Sequence, residues 1–415
     1  MKKTLIKLLT GSLLLVLVAT AHAEICTGTT NRPLFTPFPG SSRITPAFPD
    51  QASRYDNLSF KQHTGDFDVL KLTGEFPIAR YFSINLYDFK EATPVAAIAD
   101  YQMTPNEGHV NPYVPGNYRH AEKRSYTLYV VKQGVEVDLS EHANVVVIPE
   151  HIDDVSLMVR VYRPDQGRND QGGVALPMVE ALKADGTWAL CPHTGLDMKL
   201  VVEKLPLLVF AQDLIQTWNV GKAYLGNRMD GLRISDSGLF PNAHNHYIVT
   251  PLDHYSVNKV AVVTFKPPTH ESTYQGEDTF MGDKQVRYWS FCVGGLAITG
   301  TADCLVDDEV SYNADGTVTV VIGNLSVKAI AEKAGLNFLR WGLTYKPLLI
   351  HRHMLASEHF QERIGNVPSL PRPIPVDIAD SDLDHHSASQ WMGDYAPTGK
   401  IYSKRAFKRW LSDRR

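Results

Sequence analysis

The sequence predicts a mainly β fold: two tandem antiparallel β-sandwich lobes of the jelly-roll type, produced by an internal duplication, with few short helices. Segments of six to ten residues rich in Val, Ile, Tyr, Phe and Thr alternate with polar turns such as PDQGRNDQGG. Such segments are typical of strands, because branched and aromatic side chains suit a pleated surface, whereas Gly, Pro, Asn and Asp suit turns. Short strands with few helical patterns between them favour sandwiches or barrels.

The duplication is indicated by three strand-like blocks that recur in the same order. The motif Arg80-Tyr-Phe-Ser corresponds to Arg287-Tyr-Trp-Ser, 207 residues later. The block SYTLYVV corresponds to TVTVVIG, and LMVRVY, with Arg160, corresponds to LIHRHM, with Arg352, 192 residues later. Loops of different length explain the two offsets. The sequence therefore predicts one lobe per copy.

These patterns divide the chain into five segments. The stretch after Pro368 is rich in proline and aspartate and predicts a surface wrap. The segment LLVFAQDLIQTWNV predicts a helix between the two copies. The predicted segments are a signal peptide (1–23), a first lobe (24–190), a helical connector (191–230), a second lobe (231–370) and a C-terminal wrap with a basic amphipathic helix (371–415).

The N-terminus has the three parts of a bacterial secretory signal peptide. Three early lysines precede an apolar run from Leu8 to Ala19, and Ala-His-Ala23 supplies the small residues of a cleavage site. We therefore expect a soluble protein, mature from about residue 24, that is periplasmic or secreted. No later segment reaches roughly 18 apolar residues, so a transmembrane helix is not expected.

The charge of the chain argues against a nucleic-acid partner. The formal net charge is −4, and removal of the three lysines of the signal peptide makes the mature chain −7. An acidic chain repels nucleic acid and other polyanions. At the C-terminus, YSKRAFKRWLSDRR predicts a helix with Phe407, Trp410 and Leu411 on one side and basic residues around them. Two interpretations stay open: peripheral contact with anionic envelope lipid, or docking of the apolar side onto the protein.

The four cysteines all remain after removal of the signal peptide, and an oxidising compartment makes two disulfides the expected state. Four cysteines permit three pairings. We favour Cys292–Cys304, because the intervening VGGLAITGTAD predicts a glycine-rich hairpin that brings two strands to disulfide distance. In that case Cys26 pairs with Cys191.

Two histidine pairs are the candidate metal ligands. On a predicted strand, His351 and His353 share one face because side chains alternate, and they replace two valines of the first copy. A second pair, His244 and His246, opens another strand of the same lobe. If these strands are neighbours, four imidazoles converge on a divalent transition metal, the candidate cofactor. The alternative is that the histidines are structural or lie on the surface.

Four arginines recur at matched strand positions in the two copies: Arg80, Arg160, Arg287 and Arg352. A buried arginine needs carboxylate or carbonyl partners. One interpretation is a structural ion pair that bridges the sheets. The other is a clamp, since the planar guanidinium fork recognises an acidic ligand through two hydrogen bonds. We take Arg160 and Arg352 as the candidate ligand-binding residues.

Several of these residues resemble a known pattern. The motif R-Y-F/W-S at a strand start, Tyr87-Asp, Asn111-Pro and Arg160-x-Tyr-x-Pro together resemble bacterial secreted proteins of the unknown-function families 1214 and 1254. The similarity is clearest over residues 76–182 and weaker over 285–367. It implies a β-rich envelope or secreted protein and supplies no catalytic residues.

Together, these features predict an exported protein that binds a small molecule, a glycan or an envelope component at the seam between its lobes. The sequence contains no nucleophile elbow, phosphate-binding loop, zinc-protease helix or dinucleotide fingerprint, so it leaves open whether the protein is an enzyme. The alternative function is a metal-assisted hydrolase that uses the four histidines of the second lobe.

Overall fold

The computed structural model contains four β-sheets, two from each half of the chain, and confirms the predicted mainly β fold. Its helices are few and short, as expected. The structure describes residues 28–30, 48–61, 68–88, 91–140, 142–152, 154–183, 185–191, 193–195, 215–216, 218–222, 228–233, 240–277, 282–296, 300–342, 346–370, 375 and 378–414.

The first lobe has two facing sheets. One has the order β11-β1-β2-β8-β4-β5 and the other β10-β9-β3-β6-β7, using the labels that follow. The strands are β1 (Gly28–Thr30), β2 (Ser53–Lys61), β3 (Val69–Glu75), β4 (Ala79–Asp88), β5 (Thr93–Ala99), β6 (Ser125–Lys132), β7 (Val145–Ile148), β8 (Asp154–Pro164), β9 (Met178–Leu182), β10 (Trp188–Leu190) and β11 (His193–Gly195).

The second lobe also has two sheets, with the orders β13-β14-β20-β16-β17 and β12-β21-β15-β18-β19. Its strands are β12 (Arg228–Met229), β13 (Leu232–Arg233), β14 (Asn245–Pro251), β15 (Lys259–Phe265), β16 (Tyr288–Gly295), β17 (Gly300–Val306), β18 (Val318–Gly323), β19 (Asn337–Arg340), β20 (Pro347–Met354) and β21 (Thr398–Ser403). Its helices are α1 (Leu325–Lys333), α2 (Asp380–His385), α3 (Ala388–Met392) and α4 (Lys404–Asp413).

The two lobes share a strand order. In the first lobe β2-β8-β4-β5 faces β9-β3-β6-β7, and in the second β14-β20-β16-β17 faces β21-β15-β18-β19. Pairing is antiparallel except at sheet edges, where β7 joins β6, β19 joins β18 and β11 joins β1 in parallel. The shared order is compatible with the predicted duplication, which stays a prediction.

The central strands β4, β8, β16 and β20 are buried on both faces. Along β4, alternate side chains such as Phe82 and Ile84 enter the core of the first lobe, and those between them, such as Tyr81 and Ser83, face the second lobe. Since neighbouring side chains point to opposite faces, a strand between two packed layers has no solvent side. This double burial explains why these segments carry few charged residues besides the arginines.

The C-terminal segment does more than wrap a surface. β21 lies between β12 and β15, so residues beyond 370 supply a strand to the second lobe. Likewise, β11 and β12 fall within the predicted connector 191–230. β11 is an edge strand of a first-lobe sheet, and β12 is an edge strand of a second-lobe sheet. The predicted boundaries therefore separate strands that the fold keeps together, because strand pairing here links segments that are distant in sequence.

The basic C-terminal helix α4 docks its apolar side on the protein. Ser403 accepts a hydrogen bond from the amide of Ala406 and caps the helix N-terminus. Phe407 and Leu411 are buried in a cluster with valines of β15 and β18. The helix therefore docks onto the protein, as one of the two interpretations expected. Contact with the envelope stays a prediction, and only the exposed basic side of the helix is free to make it.

One predicted disulfide is confirmed. Cys292 on β16 lies directly opposite Cys304 on β17, and the two are bonded. Cys191 is also disulfide-bonded. Its predicted partner Cys26 and the predicted signal peptide lie outside the described residues. No helix formed by the described residues is long and apolar enough to cross a membrane.

Candidate functional site

The lobes pack against each other through a tyrosine-rich seam, formed by the faces of β2, β4 and β8 and of β14, β16 and β20 that point away from the lobe cores. The rings of Tyr162 and Tyr288, one from each lobe, lie 5.5 Å apart. Hydrophobic residues from both lobes form one buried cluster: Tyr55, Tyr81, Tyr87, Ala92, Ala99, Met158, Tyr162, Phe240, Tyr288, Val306 and Met354. The seam is therefore a buried interior layer with polar tips.

Two buried ion pairs join the lobes, each between an arginine of one lobe and an aspartate of the other. Arg80 Nη1 lies 3.0 Å from Asp307 Oδ2, and Arg287 Nη1 lies 2.5 Å from Asp100 Oδ1. Both arginines and both aspartates stand 207 residues apart in the sequence. Arg80 also contacts Asp308 at 2.6 Å. For Arg80 and Arg287, the structure therefore agrees with the first interpretation, a structural ion pair that bridges sheets.

The other two recurring arginines hold turns that cross the seam. Arg352 Nη2 donates to the carbonyl of Phe48, and Arg160 Nη2 donates to the carbonyl of Phe240, both at 2.6 Å. The two phenylalanines stand 192 residues apart, and both have a left-handed backbone, with φ of 47° and 54°. Because that conformation is unfavourable for a residue with a side chain, the arginine contacts help to fix it.

Arg352 has a carboxylate beside it. Asp50 Oδ2 lies 3.8 Å from Arg352 Nη1. Tyr288 donates to Asp50 Oδ1 at 2.9 Å and Ser290 donates to Asp50 Oδ2 at 2.5 Å, so the carboxylate is fixed by the second lobe. The guanidinium Nη1 also donates to Cys292 Sγ at 3.0 Å. The charge of Arg352 is therefore largely compensated.

In the turn that Arg160 holds through Phe240, the position that corresponds to Asp50 is occupied by a neutral residue, Asn242, 192 residues later. Asn242 Oδ1 accepts from the hydroxyl of Tyr81 at 3.0 Å. Arg160 is 4% exposed, donates to the hydroxyl of Tyr87 at 2.6 Å, and forms no ion pair with any carboxylate of the described residues. Two buried donors, Arg160 Nε and Asn242 Nδ2, have no hydrogen-bond acceptor within the described part of the chain.

The groups around Arg160 do not neutralise it. Burial raises the pKa of Tyr87, and Arg160 only partly offsets this, so the phenol stays uncharged near pH 7. Burial also raises the pKa of Tyr55, whose ring lies under the guanidinium at 4.9 Å. His244 is likewise neutral, since burial and then Arg287 and Arg160 lower its pKa to about 4. Among the residues that the structure describes, no negative charge at this point of the seam therefore neutralises Arg160.

The predicted neighbour relation between the two histidine pairs is found for three of the four residues. β14 pairs with β20, and His246 lies directly opposite His353. The rings of His351 and His353 meet at 4.7 Å on the same face of β20. His244 lies apart from them, because it precedes β14 and its Nδ1 is 2.8 Å from the hydroxyl of Tyr81 at the seam.

His351 is buried in the core of the second lobe, in contact with three aromatic rings, those of Phe265, Trp289 and Phe291. Neither of its ring nitrogens has a hydrogen-bond partner among the described residues. Burial, and secondly Arg352, lowers its pKa to about 3, so the ring is neutral at pH 7. The aromatic shell makes this position an interior packing site.

Hydrogen bonds to the other two rings assign their protons. The amide of Ile364 donates to Nδ1 of His353 at 3.3 Å, and the guanidinium of Arg233, which can only donate, lies 3.2 Å from Nδ1 of His246. In a neutral imidazole whose Nδ1 accepts, Nε2 carries the proton. These rings therefore present N–H groups at Nε2, where a metal needs a lone pair.

A metal site needs several ligand atoms close together, and side chains other than the four histidines provide sets of three such atoms within 4.8 Å of one another. Among the described residues these groups are Asp50 with Cys292 and Cys304, and His270 with Asp307 and Asp308. In the first, the two sulfurs are bonded to each other. In the second, Arg80 already binds both carboxylates. The metal site at the four histidines stays a prediction that the hydrogen bonds do not favour.

Elemental analysis tests that prediction. We expect the purified protein to contain less than stoichiometric zinc, copper or nickel and to keep its unfolding temperature after chelation, because the buried imidazoles lack converging lone pairs. Replacement of His351 and His353 by valine, the residue of the first lobe, should leave the metal content unchanged. Loss of one equivalent of metal in that variant would support the hydrolase hypothesis.

Several seam residues were not identified from the sequence, namely Asp50, Asp100, Asn242 and Asp307. Their signal is present but weak. Phe48-Pro-Asp and Phe240-Pro-Asn share the 192-residue offset, and the two aspartates that bind the arginines share the 207-residue offset. A single aspartate after a strand is too common to be noticed without the contact that it makes.

No family model and no curated protein matches this chain. Solved structures that match include an uncharacterised protein of Burkholderia cenocepacia, 11% identical, with a TM-score of 0.49 over 81% of this chain and 79% of that one. Another is a structural-genomics target from Vibrio parahaemolyticus, 12% identical, with a TM-score of 0.39 over 74% of this chain and 86% of that one. The resemblance to families 1214 and 1254 stays a prediction.

Proposed function

We propose that this is an exported protein that binds a small acidic molecule at the seam between its lobes, with Arg160 as the group that recognises the acid. This proposal selects, from the small molecules, glycans and envelope components considered above, those that carry a carboxylate or phosphate. Export is supported by the predicted signal peptide and by the disulfide Cys292–Cys304.

The carrying observation is the unneutralised arginine. A buried charge without a counter-ion is unfavourable by several kcal/mol, so proteins rarely keep one without a use. Arg160 donates only to neutral oxygens, those of Tyr87 and Phe240, while its Nε lacks an acceptor. A carboxylate or phosphate would supply both the negative charge and the missing acceptor.

Asn242 supports the same conclusion. Its Nδ2 is a second buried donor without an acceptor, and it belongs to the turn that Arg160 holds through Phe240. At the corresponding position the chain carries Asp50, which lies beside Arg352. One arginine is therefore supplied with a carboxylate by the protein itself, and the other is left for a ligand to neutralise.

The experiment measures the unfolding temperature in chloride, phosphate and succinate at equal ionic strength. We expect phosphate or succinate to stabilise the wild-type protein. The change Asn242→Asp places an internal carboxylate beside Arg160, and should weaken the apparent affinity for the anion at least about tenfold, because a charge-assisted hydrogen bond contributes roughly 1.5–3 kcal/mol. Arg160→Met should have the same effect.

The matched control is Arg405→Met, which removes an exposed arginine from α4 and should leave the response to anions unchanged. Native mass spectrometry of the protein purified in volatile buffer would also reveal an acidic molecule retained from the cell. Equal anion stabilisation in the wild type, Asn242→Asp and Arg160→Met would contradict the proposal.

A further inference from the structure

The disulfide Cys292–Cys304 joins the seam to the edge of a sheet. Cys292, on the central strand β16, is fully buried on the face that meets the first lobe. Cys304 is partly exposed on β17, the last strand in the order of that sheet. Cys304 is therefore the more exposed of the two cysteines and lies at the sheet edge, while Cys292 is held inside the protein.

Charged groups surround the buried sulfur. Arg352 Nη1 donates to Cys292 Sγ at 3.0 Å, and Asp50 has a carboxylate oxygen within 4.8 Å of both sulfurs. A neighbouring guanidinium stabilises a thiolate, and the thiol that is more stable as a thiolate leaves faster in disulfide exchange. A disulfide that serves only as a cross-link needs neither group.

The first lobe holds the same strand pair without a cross-link. By strand register, the position of Cys292 on β16 corresponds to Asn85 on β4, and Asn85 lies opposite Ala97 on β5. The pairing of β4 with β5 is as extensive as that of β16 with β17. The fold therefore does not require a disulfide at this place, which leaves a chemical role to explain it.

We propose that Cys292–Cys304 is a redox-active disulfide that exchanges with an external dithiol, with Cys304 as the sulfur attacked and Cys292 as the leaving thiolate. One thiolate of the dithiol attacks Cys304 Sγ, the bond between the two cysteines breaks, and its electron pair stays on Cys292. The second thiolate of the dithiol then attacks the sulfur of the dithiol that is bonded to Cys304. This closes the disulfide of the dithiol and releases Cys304 as a thiolate, which takes up a proton. Two electrons pass from the dithiol, which becomes a disulfide.

The experiment incubates the mature protein in buffers of reduced and oxidised dithiothreitol, followed by alkylation and peptide mass spectrometry. We expect Cys292 and Cys304 to be reduced reversibly while the circular dichroism stays native. The second disulfide, read at the buried Cys191, is the internal control and should still be oxidised at that point. Reduction of Cys191 first, or reduction of Cys292 and Cys304 only in denaturant, would overturn the proposal.

Two variants with opposite expected effects separate chemistry from loss of structure. Arg352→Met removes the cation from the Cys292 thiolate and should lower the equilibrium constant for reduction about tenfold, equivalent to one unit of thiolate pKa. Asp50→Asn removes the neighbouring negative charge and should raise this constant. Arg352→Lys should restore part of the wild-type value. If a looser seam alone governed reduction, both Arg352→Met and Asp50→Asn would raise the constant, and that result would refute the assigned roles.

Discussion

Replacing Asp100 with alanine is expected to lower the free energy of unfolding by about 3–5 kcal/mol, as found when one partner of a buried ion pair is removed. Asp100 is fully buried between the lobes, where its carboxylate binds Arg287 and accepts from the amide of Phe82. Burial raises its pKa, and Arg287 only partly offsets this, so the pair fixes the lobes in position more than it stabilises them. Its loss leaves a buried arginine without that carboxylate.

Urea unfolding followed by tyrosine and tryptophan fluorescence measures this effect. Asp307→Ala should destabilise less than Asp100→Ala, because Asp308 also binds Arg80. The exposed Glu358→Ala serves as the control. The double change Asp100→Leu with Arg287→Met, which replaces the pair by apolar side chains, should be closer to the wild type than Asp100→Ala. A loss below about 1 kcal/mol in Asp100→Ala would show that the seam does not depend on this contact.

Acid is expected to destabilise the protein through the histidines inside the second lobe. The pKa of His351 falls from 6.5 in the unfolded chain to about 3 in the fold, because burial disfavours the charged ring. The stabilising effect of the neutral ring is complete above pH 6.5 and is lost as the pH falls from 6.5 towards 3. The linkage amounts to about 2 kcal/mol at pH 5 and about 4 kcal/mol at pH 3. The pKa of His353 is lowered in the same direction, chiefly by burial.

The double variant His351→Val with His353→Val measures this contribution, since valine is the residue at both corresponding positions of the first lobe. Its free energy of unfolding should fall less between pH 7 and pH 5 than that of the wild type, by about 2 kcal/mol for the removal of His351 and by a further amount in the same direction for the removal of His353. The exposed His359→Ala is the matched control. Parallel pH profiles for the double variant and the wild type would show that these rings are protonated in the fold.

The fold was largely predictable because strand signals are local. Alternating apolar residues and polar turns indicated the strands, and the glycine-rich stretch between Cys292 and Cys304 indicated the hairpin that the disulfide closes. The pattern of His351 and His353 correctly placed both rings on one face of β20. It could not distinguish a metal site from a core, because that distinction depends on the aromatic rings that other strands bring to the same place.

The candidate site was less predictable, because its contacts join distant parts of the chain. Recurrence identified Arg160 and Arg352 as unusual, but they differ in a residue of the turn that each arginine holds. That residue is Asp50, which lies beside Arg352 across the seam, in one turn and Asn242 in the other. No local pattern marks which aspartate will meet which arginine. Comparing the two copies at the repeat offset identifies these residues, if the comparison includes the polar residues that follow each strand as well as the strands themselves.

The hydrogen bond from Arg352 to the carbonyl of Phe48 constrains the order in which parts of the molecule can fold. The two residues are 304 positions apart, so the turn at Phe48 has no final anchor until β20 has been synthesised. Contacts between such distant residues form slowly, because a long loop must close first. Until then, the tyrosine face of the first lobe stays open to water, which makes the incomplete chain the species most exposed to aggregation and to proteases.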